Sequence, residues 1–183
     1  MRALQLATAV AIWLAGQPAW GHTFPKVRTV VLQVERCEAV LLVGYRPASG
    51  EATESVLSRA AADKRPNALR DVMTADAMAP IALVVDGKPL APTAIQAKIG
   101  VEPGGARPMV VLLVTYAVPA GASLELTTTD PHSTRFSWQD QDSGRVATAD
   151  NPAQDQWFDG VASFLLSLSA PGGPSCASSS PSH

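Results

Sequence analysis

The chain has 183 residues, a formal net charge of −2 and 46% hydrophobic residues. This length suffices for one domain with a sizeable core. The acidic balance argues against a nucleic-acid partner, because such proteins carry a basic surface.

The first 21 residues are predicted to be a signal peptide (1–21). Arg2 is followed by the apolar run ALQLATAVAIWLAG and then by QPAWG. A charged start, an apolar stretch and small residues at the cut site are typical of export signals. Cleavage after Gly21 places Ala19 and Gly21, both small, next to the cut. We therefore expect a periplasmic or secreted protein that begins at His22 and has no membrane span, with an uncleaved anchor as the alternative.

Segments with two-residue periodicity dominate the remaining chain. In 27–35, the apolar residues Val30, Leu32 and Val34 share one face, as a half-buried strand requires. The next segment, 39–45, is more continuously apolar and is predicted to be a central strand. Further strands are predicted at 81–90, 93–101, 108–118, 122–129 and 160–169.

Asp86-Gly87 predicts a hairpin within 81–90, and 93–101 is predicted to return from it. Strands at intervals of roughly ten residues, separated by Gly and Pro turns, indicate an all-β fold. We predict an Ig-like β-sandwich domain over 22–170.

A short helical insertion is predicted at about 50–78. The segment 50–63 is rich in helix formers and Pro66 should end it, and a second helix should start near Asn67. The tail, 171–183, consists mostly of Ser, Pro and Gly, has no large apolar side chains to bury and is predicted to be disordered.

The chain contains two cysteines, Cys37 and Cys176. A disulfide between them is allowed in the oxidising compartment that export implies. The alternative is that Cys176 stays unpaired in the polar tail. The sequence leaves both possibilities open.

Three histidines are present, and two of them suggest a metal site. The α-amino nitrogen and Nδ1 of an N-terminal His22 can chelate one ion, and His132 can supply a third nitrogen. Asp130 lies two residues before His132, so both side chains can project from one face of an extended chain. Three nitrogens and a carboxylate suit Cu(II), which favours tetragonal N and O ligation. His183 ends the tail and is expected to be solvated.

This pattern, a mature N-terminal histidine with Asp130-Pro131-His132, resembles the periplasmic copper-resistance proteins of the CopC type. The resemblance implies an exported β-sandwich that binds copper through His22, Asp130 and His132. An N-terminal histidine is also typical of lytic polysaccharide monooxygenases. The overall layout is similar to the extracytoplasmic domain of HupE/UreJ-type membrane proteins, which are linked with nickel.

The leading expectation is copper(II) binding without turnover, for metal homeostasis or delivery. A copper monooxygenase is the enzymatic version, disfavoured by the short chain and the lack of an aromatic platform. Alternatively, His22 is an ordinary mature terminus or the cut falls one residue away, and His132 lies in a surface loop whose turn Asp130 caps. The protein would then be a structural or interaction module of the cell envelope, contacting an envelope or membrane protein through sheet edges or the loop predicted at 139–159. Trp138 and Trp157 are expected to pack in the core or as a lid over the end of the sandwich, with stacking on a ligand as the alternative.

Overall fold

The computed structural model describes residues 26–101, 107–118, 123–130, 134–140, 146–149, 155–158, 160 and 162–168. Over these residues the chain forms eleven strands and two helices. In chain order they are β1 (Val27–Val34), β2 (Glu38–Arg46), α1 (Glu51–Asp63), α2 (Ala68–Met78), β3 (Ile81–Val85), β4 (Lys88–Pro89), β5 (Ala94–Val101), β6 (Pro108–Ala117), β7 (Ser123–Thr128), β8 (Thr134–Asp140), β9 (Val146–Ala149), β10 (Asp155–Phe158) and β11 (Ala162–Leu168).

The strands form two sheets, consistent with the predicted β-sandwich. The six-stranded sheet has the order β10-β8-β1-β2-β6-β5, and the five-stranded sheet has the order β4-β3-β7-β11-β9. β1 and β8 are parallel neighbours, whereas β1 and β2 are antiparallel. The prediction that 39–45 is a central strand is confirmed, since β2 lies between β1 and β6.

One apolar core joins the two sheets and the helices. Each strand contributes alternate residues because successive side chains point to opposite faces. The six-stranded sheet buries Leu32 and Leu112 and the five-stranded sheet buries Leu124 and Leu166, all at 0% exposure. All four belong to a single cluster of buried side chains.

The two helices lie between β2 and β3, which confirms the predicted helical insertion. Met73 and Ala77 of α2 and Val56 of α1 are buried in the same core cluster. α1 is followed by Lys64 in the left-handed conformation, with φ 57°, which stops the helix before Pro66. α2 contacts strands of both sheets, so it is anchored more firmly than α1.

The predicted hairpin turn is present, but the predicted return strand is wrong. Asp86 and Gly87 have φ values of 47° and 76°, as a two-residue hairpin turn requires. β4 contains only Lys88 and Pro89, and β5 instead pairs with β6 in the other sheet. Pro89 and Pro92 lack the N–H that a strand ladder needs. The chain therefore leaves β3 after Leu90, whose N–H donates the last bond, to the carbonyl of Leu83 at 2.8 Å.

The loop predicted at 139–159 is also corrected. β8 extends to Asp140, and β9 and β10 both lie within this range. Trp138 is partly buried against the core, as expected, but Trp157 is 56% exposed and does not pack as a lid.

Cys37 is disulfide-bonded. The chain has one other cysteine, Cys176, which lies outside the described residues, as do the predicted signal peptide and the tail. None of the helices in the described part of the chain is long and apolar enough to cross a membrane.

Candidate functional site

A charged residue continues the buried face of β1. Arg28 lies two positions before Val30, so its side chain projects into the core, where it is only 1% exposed. Its Nε donates to the carbonyl oxygen of Ala77 at 3.1 Å, and its Nη2 donates to that of Asp76 at 2.9 Å. These carbonyls belong to the last turn of α2, where they lack helical partners and where a cation is favoured. Arg28 thus ties the start of β1 to the end of α2.

Asp130, which follows β7, is paired with two cations. Its carboxylate is 2% exposed and forms an ion pair with Nη1 of Arg28. Lys26 Nζ lies 3.3 Å from Asp130 Oδ2 and 3.4 Å from Oδ1. The turn is held further by the backbone N–H of Thr129, which donates to the carbonyl of Pro80 at 2.9 Å. A buried carboxylate with two cationic partners avoids the large cost of an unpaired buried charge.

Tyr45 forms the aromatic wall of this cluster. It is the β2 residue opposite Arg28, whose guanidinium carbon lies 5.1 Å from the ring centroid. Lys26 Nζ lies 5.9 Å from the same centroid, so both cations are within range of the negative ring face. Burial raises the pKa of the Tyr45 phenol, with a smaller contribution from the charge of Asp76. Burial, together with repulsion from Arg28, lowers the pKa of Lys26.

Asp76 carries a second ion pair at the edge of the cluster. Its carboxylate accepts two hydrogen bonds from Arg59 of α1, at 3.0 and 2.5 Å. These bonds raise the pKa of Arg59. The backbone carbonyl of Asp76 accepts a hydrogen bond from Arg28, while its side chain joins α1 to α2.

These groups surround an open pocket of about 430 Å³, named here the Arg28 pocket. It lies where β1 begins, α2 ends and β7 ends. Its lining is formed by Lys26, Arg28, Tyr45, Asp76, Ala79, Pro80, Thr129 and Asp130. Two carboxylates offset the two cations of this lining, so the pocket carries no formal net charge.

Of the predicted metal ligands, the structure describes Asp130, whereas His22 and His132 lie outside the described residues. The segments that carry them enter neighbouring strands. β1 and β8 run parallel, with Arg28 opposite Thr134, so both strands begin at the same end of the sheet. Within the part of the chain that is described, no three His, Cys, Asp or Glu side chains form a metal-binding cluster.

The sequence interpretation missed Lys26, Arg28, Tyr45 and Asp76. For Arg28 a signal existed, because this arginine is in phase with Val30 and Leu32 on the predicted buried face. A charge at a core-facing position requires a partner. Asp76 carries no comparable signal, because it lies between two alanines of a helix and its role comes from tertiary contact.

We compared the chain with protein-family models, with curated proteins and with solved structures, and none of them matches it.

Proposed function

We propose that the protein is an exported copper(II)-binding protein that takes up the ion as cargo, for metal homeostasis or delivery. The ligands are the α-amine and Nδ1 of His22 in the mature chain and the imidazole of His132. An N-terminal amine and two imidazoles provide the nitrogen-rich, near-planar set that Cu(II) favours. The proposal includes cleavage after Gly21 and the Ig-like layering that the strand spacing predicts.

The contact between Lys26 and Asp130 is the observation that supports this proposal. His22 precedes Lys26 by four residues, and His132 follows Asp130 by two. A chain spans at most about 3.6 Å per residue from Cα to Cα. The Cα of His22 therefore lies within about 14 Å of that of Lys26, and the Cα of His132 within about 7 Å of that of Asp130. Lys26 Nζ and Asp130 Oδ2 are 3.3 Å apart. The region accessible to His22 therefore overlaps the region accessible to His132.

Asp130 is given a positioning role in this proposal. Its carboxylate is 2% exposed and already paired with Arg28 and Lys26, so a metal ion could reach it only by displacing one of these cations. Arg28 is 1% exposed, and an unpaired charge at that depth costs several kcal/mol. The carboxylate therefore stays with its cations and fixes the chain from which His132 extends.

The disulfide of Cys37 is a second supporting observation, because persistent disulfides are typical of oxidising compartments outside the cytosol.

Copper uptake should also depend on pH. The α-amine must lose its proton to bind, and its reference pKa is about 7.7–8.0, so affinity should fall below neutral pH.

Mass spectrometry of the exported protein followed by Cu(II) titration tests the proposal. We expect a mature terminus at His22 and a loss of affinity of about tenfold or more in His132→Ala. His183→Ala is the matched control, since it removes one imidazole outside the proposed site, and it should bind like the wild type. A terminus elsewhere, or equal affinity in all three proteins, would overturn the proposal.

A further inference from the structure

β5 forms one edge of the six-stranded sheet and is unusually exposed. It pairs with β6 on one side, and no other strand in the described ranges pairs with its outer side. Six of its eight residues are exposed. An eight-residue edge presents a row of backbone N–H and C=O groups that can pair with another strand.

One face of β5 is apolar although little covers it. Ile95 and Ile99 lie opposite Val114 and Val110 of β6, so they point to the inner face of the sheet. Their exposures are nevertheless 46% and 36%, and Val101 on the same face is 64% exposed. The row of apolar side chains on the inner face of the six-stranded sheet thus continues onto β5, beyond the part of the sheet that the core covers.

A groove lies between this row and α2. It has a volume of about 500 Å³ and is lined by Arg70, Asp71, Thr74, Ala75 and Met78 of α2 and by Ile95 and Ala97 of β5. Apolar side chains of a strand added beside β5 would extend the same row along the groove.

We propose that two copies of this chain pair through β5, antiparallel and related by a two-fold axis perpendicular to the sheet. Their six-stranded sheets would then form one continuous sheet. Such an axis keeps the inner faces of both copies on the same side. Opposed residues must therefore both be inner-facing, like Ile95 and Ala97, or both outer-facing, like Gln96 and Lys98.

Charge selects one register for this pairing. Two symmetric registers pair seven residues of β5, one centred on Ala97 and the other on Lys98. The register centred on Lys98 places two lysines directly opposite each other, which is unfavourable. The register centred on Ala97 places Lys98 opposite Gln96 of the second copy and Ile95 opposite Ile99. The strand is therefore complementary to itself in the Ala97 register.

Single cysteine substitutions test both the contact and its register. Opposed residues of antiparallel strands have Cα atoms about 4.5–5.5 Å apart, within the range that a disulfide spans. Cys37 is already disulfide-bonded, so an introduced cysteine supplies the reactive thiol. Under mild oxidation we expect Ala97→Cys to form a covalent dimer and Lys98→Cys, the matched control, to form no covalent link. A mixture of Gln96→Cys and Lys98→Cys should give a crosslinked heterodimer.

Sedimentation of the unmodified protein provides an independent measurement. It should show a concentration-dependent dimer that persists in the presence of a chelator, and Ile99→Lys should shift it to the monomer by placing a charge against Ile95 of the second copy. A wild type that stays monomeric up to high micromolar concentration would overturn the proposal. So would crosslinking of Lys98→Cys without Ala97→Cys, which indicates the other register. The chelator removes copper, so the dimer is measured without the metal. Failure of the dimer proposal is therefore distinguishable from failure of the copper proposal.

Discussion

Arg28 and Asp130 form a buried ion pair between the first residues of β1 and the turn after β7. Arg28 also binds the last carbonyls of α2, so one guanidinium connects three parts of the fold. Lys26 adds a second cation to the same carboxylate. The arrangement fixes the positions from which the His22 and His132 segments extend.

Removing the arginine should destabilise the protein strongly. We expect Arg28→Met to lower the free energy of unfolding by about 3–5 kcal/mol, because Asp130 then keeps only Lys26 of the two cations described at its carboxylate and the carbonyls of Asp76 and Ala77 lose their donor. Urea denaturation at neutral pH measures this loss. The double variant Arg28→Met/Asp130→Asn should recover part of it, since no buried carboxylate then remains without Arg28.

Arg59→Met is the matched control for this prediction. Arg59 also forms an ion pair with an aspartate, Asp76, but its side chain is 49% exposed. Exposed ion pairs contribute about 0–1 kcal/mol. If Arg59→Met were as destabilising as Arg28→Met, burial would not explain the importance of the Arg28–Asp130 pair.

Gly44 should resist substitution because of its neighbour on β1. A Cβ at this position would lie 2.7 Å from Oγ1 of Thr29, the residue opposite it. We expect Gly44→Ala to cost about 1–3 kcal/mol of stability, as overpacking usually does, measured by thermal or urea unfolding. Thr29→Ala should relieve most of that cost. Gly100→Ala is the control, because its nearest neighbour, Cγ of Met109, is 3.5 Å away; a larger cost at Gly100 would contradict this packing.

The two tyrosines should titrate above their ordinary range. Burial raises the pKa of both Tyr45 and Tyr116 above 10.0. The ultraviolet absorbance of phenolate should therefore appear at higher pH in the folded protein than in denaturant.

Stability should fall as pH rises past about 10, because the unfolded state then loses phenol protons that the folded state retains. Tyr45→Phe should reduce this fall. A phenolate titration with its midpoint at or below pH 10.0, without unfolding, would contradict the burial of both rings.

Reducing the disulfide of Cys37 should destabilise the fold. With Cys176 as partner, the bond closes a loop of roughly 140 residues, which in the chain-entropy model corresponds to about 4–5 kcal/mol. Comparison of urea unfolding with and without reductant, and of the Cys37→Ser variant, measures the loss. Unfolding midpoints that reductant leaves unchanged would show that this closure does not stabilise the fold.

Much of the fold was predictable because local patterns determine it. Alternation in β1, the continuous apolar run of β2 and the helix formers of α1 each indicated the correct element. The turn at Asp86-Gly87 was also evident, because few residue pairs tolerate positive φ at both positions.

The errors arose where pairing between distant parts of the chain decides which strands are neighbours. β5 follows a hairpin signal in sequence, yet it joins the opposite sheet because Pro89 and Pro92 end the local pairing. β8 is short and flanked by polar residues, and its parallel partner β1 is about a hundred residues away. No local periodicity reports such a pairing.

The candidate site was predictable only in part. Asp130 was selected from its spacing to His132. Its cationic partners are Arg28 of β1 and Lys26, the residue immediately before β1. Arg28 was visible as a charge on a buried face, whereas its hydrogen bonds to the carbonyls of α2 depend on how the helix packs.

The most direct test of the account is to count the imidazoles that bind Cu(II) in the mature protein. Pulsed electron paramagnetic resonance with one equivalent of Cu(II) and isotope-labelled histidine makes this count. We expect two coordinated imidazoles, from His22 and His132, with one remaining in His132→Ala and two in His183→Ala. A single imidazole in the unmodified mature protein would contradict the proposed site.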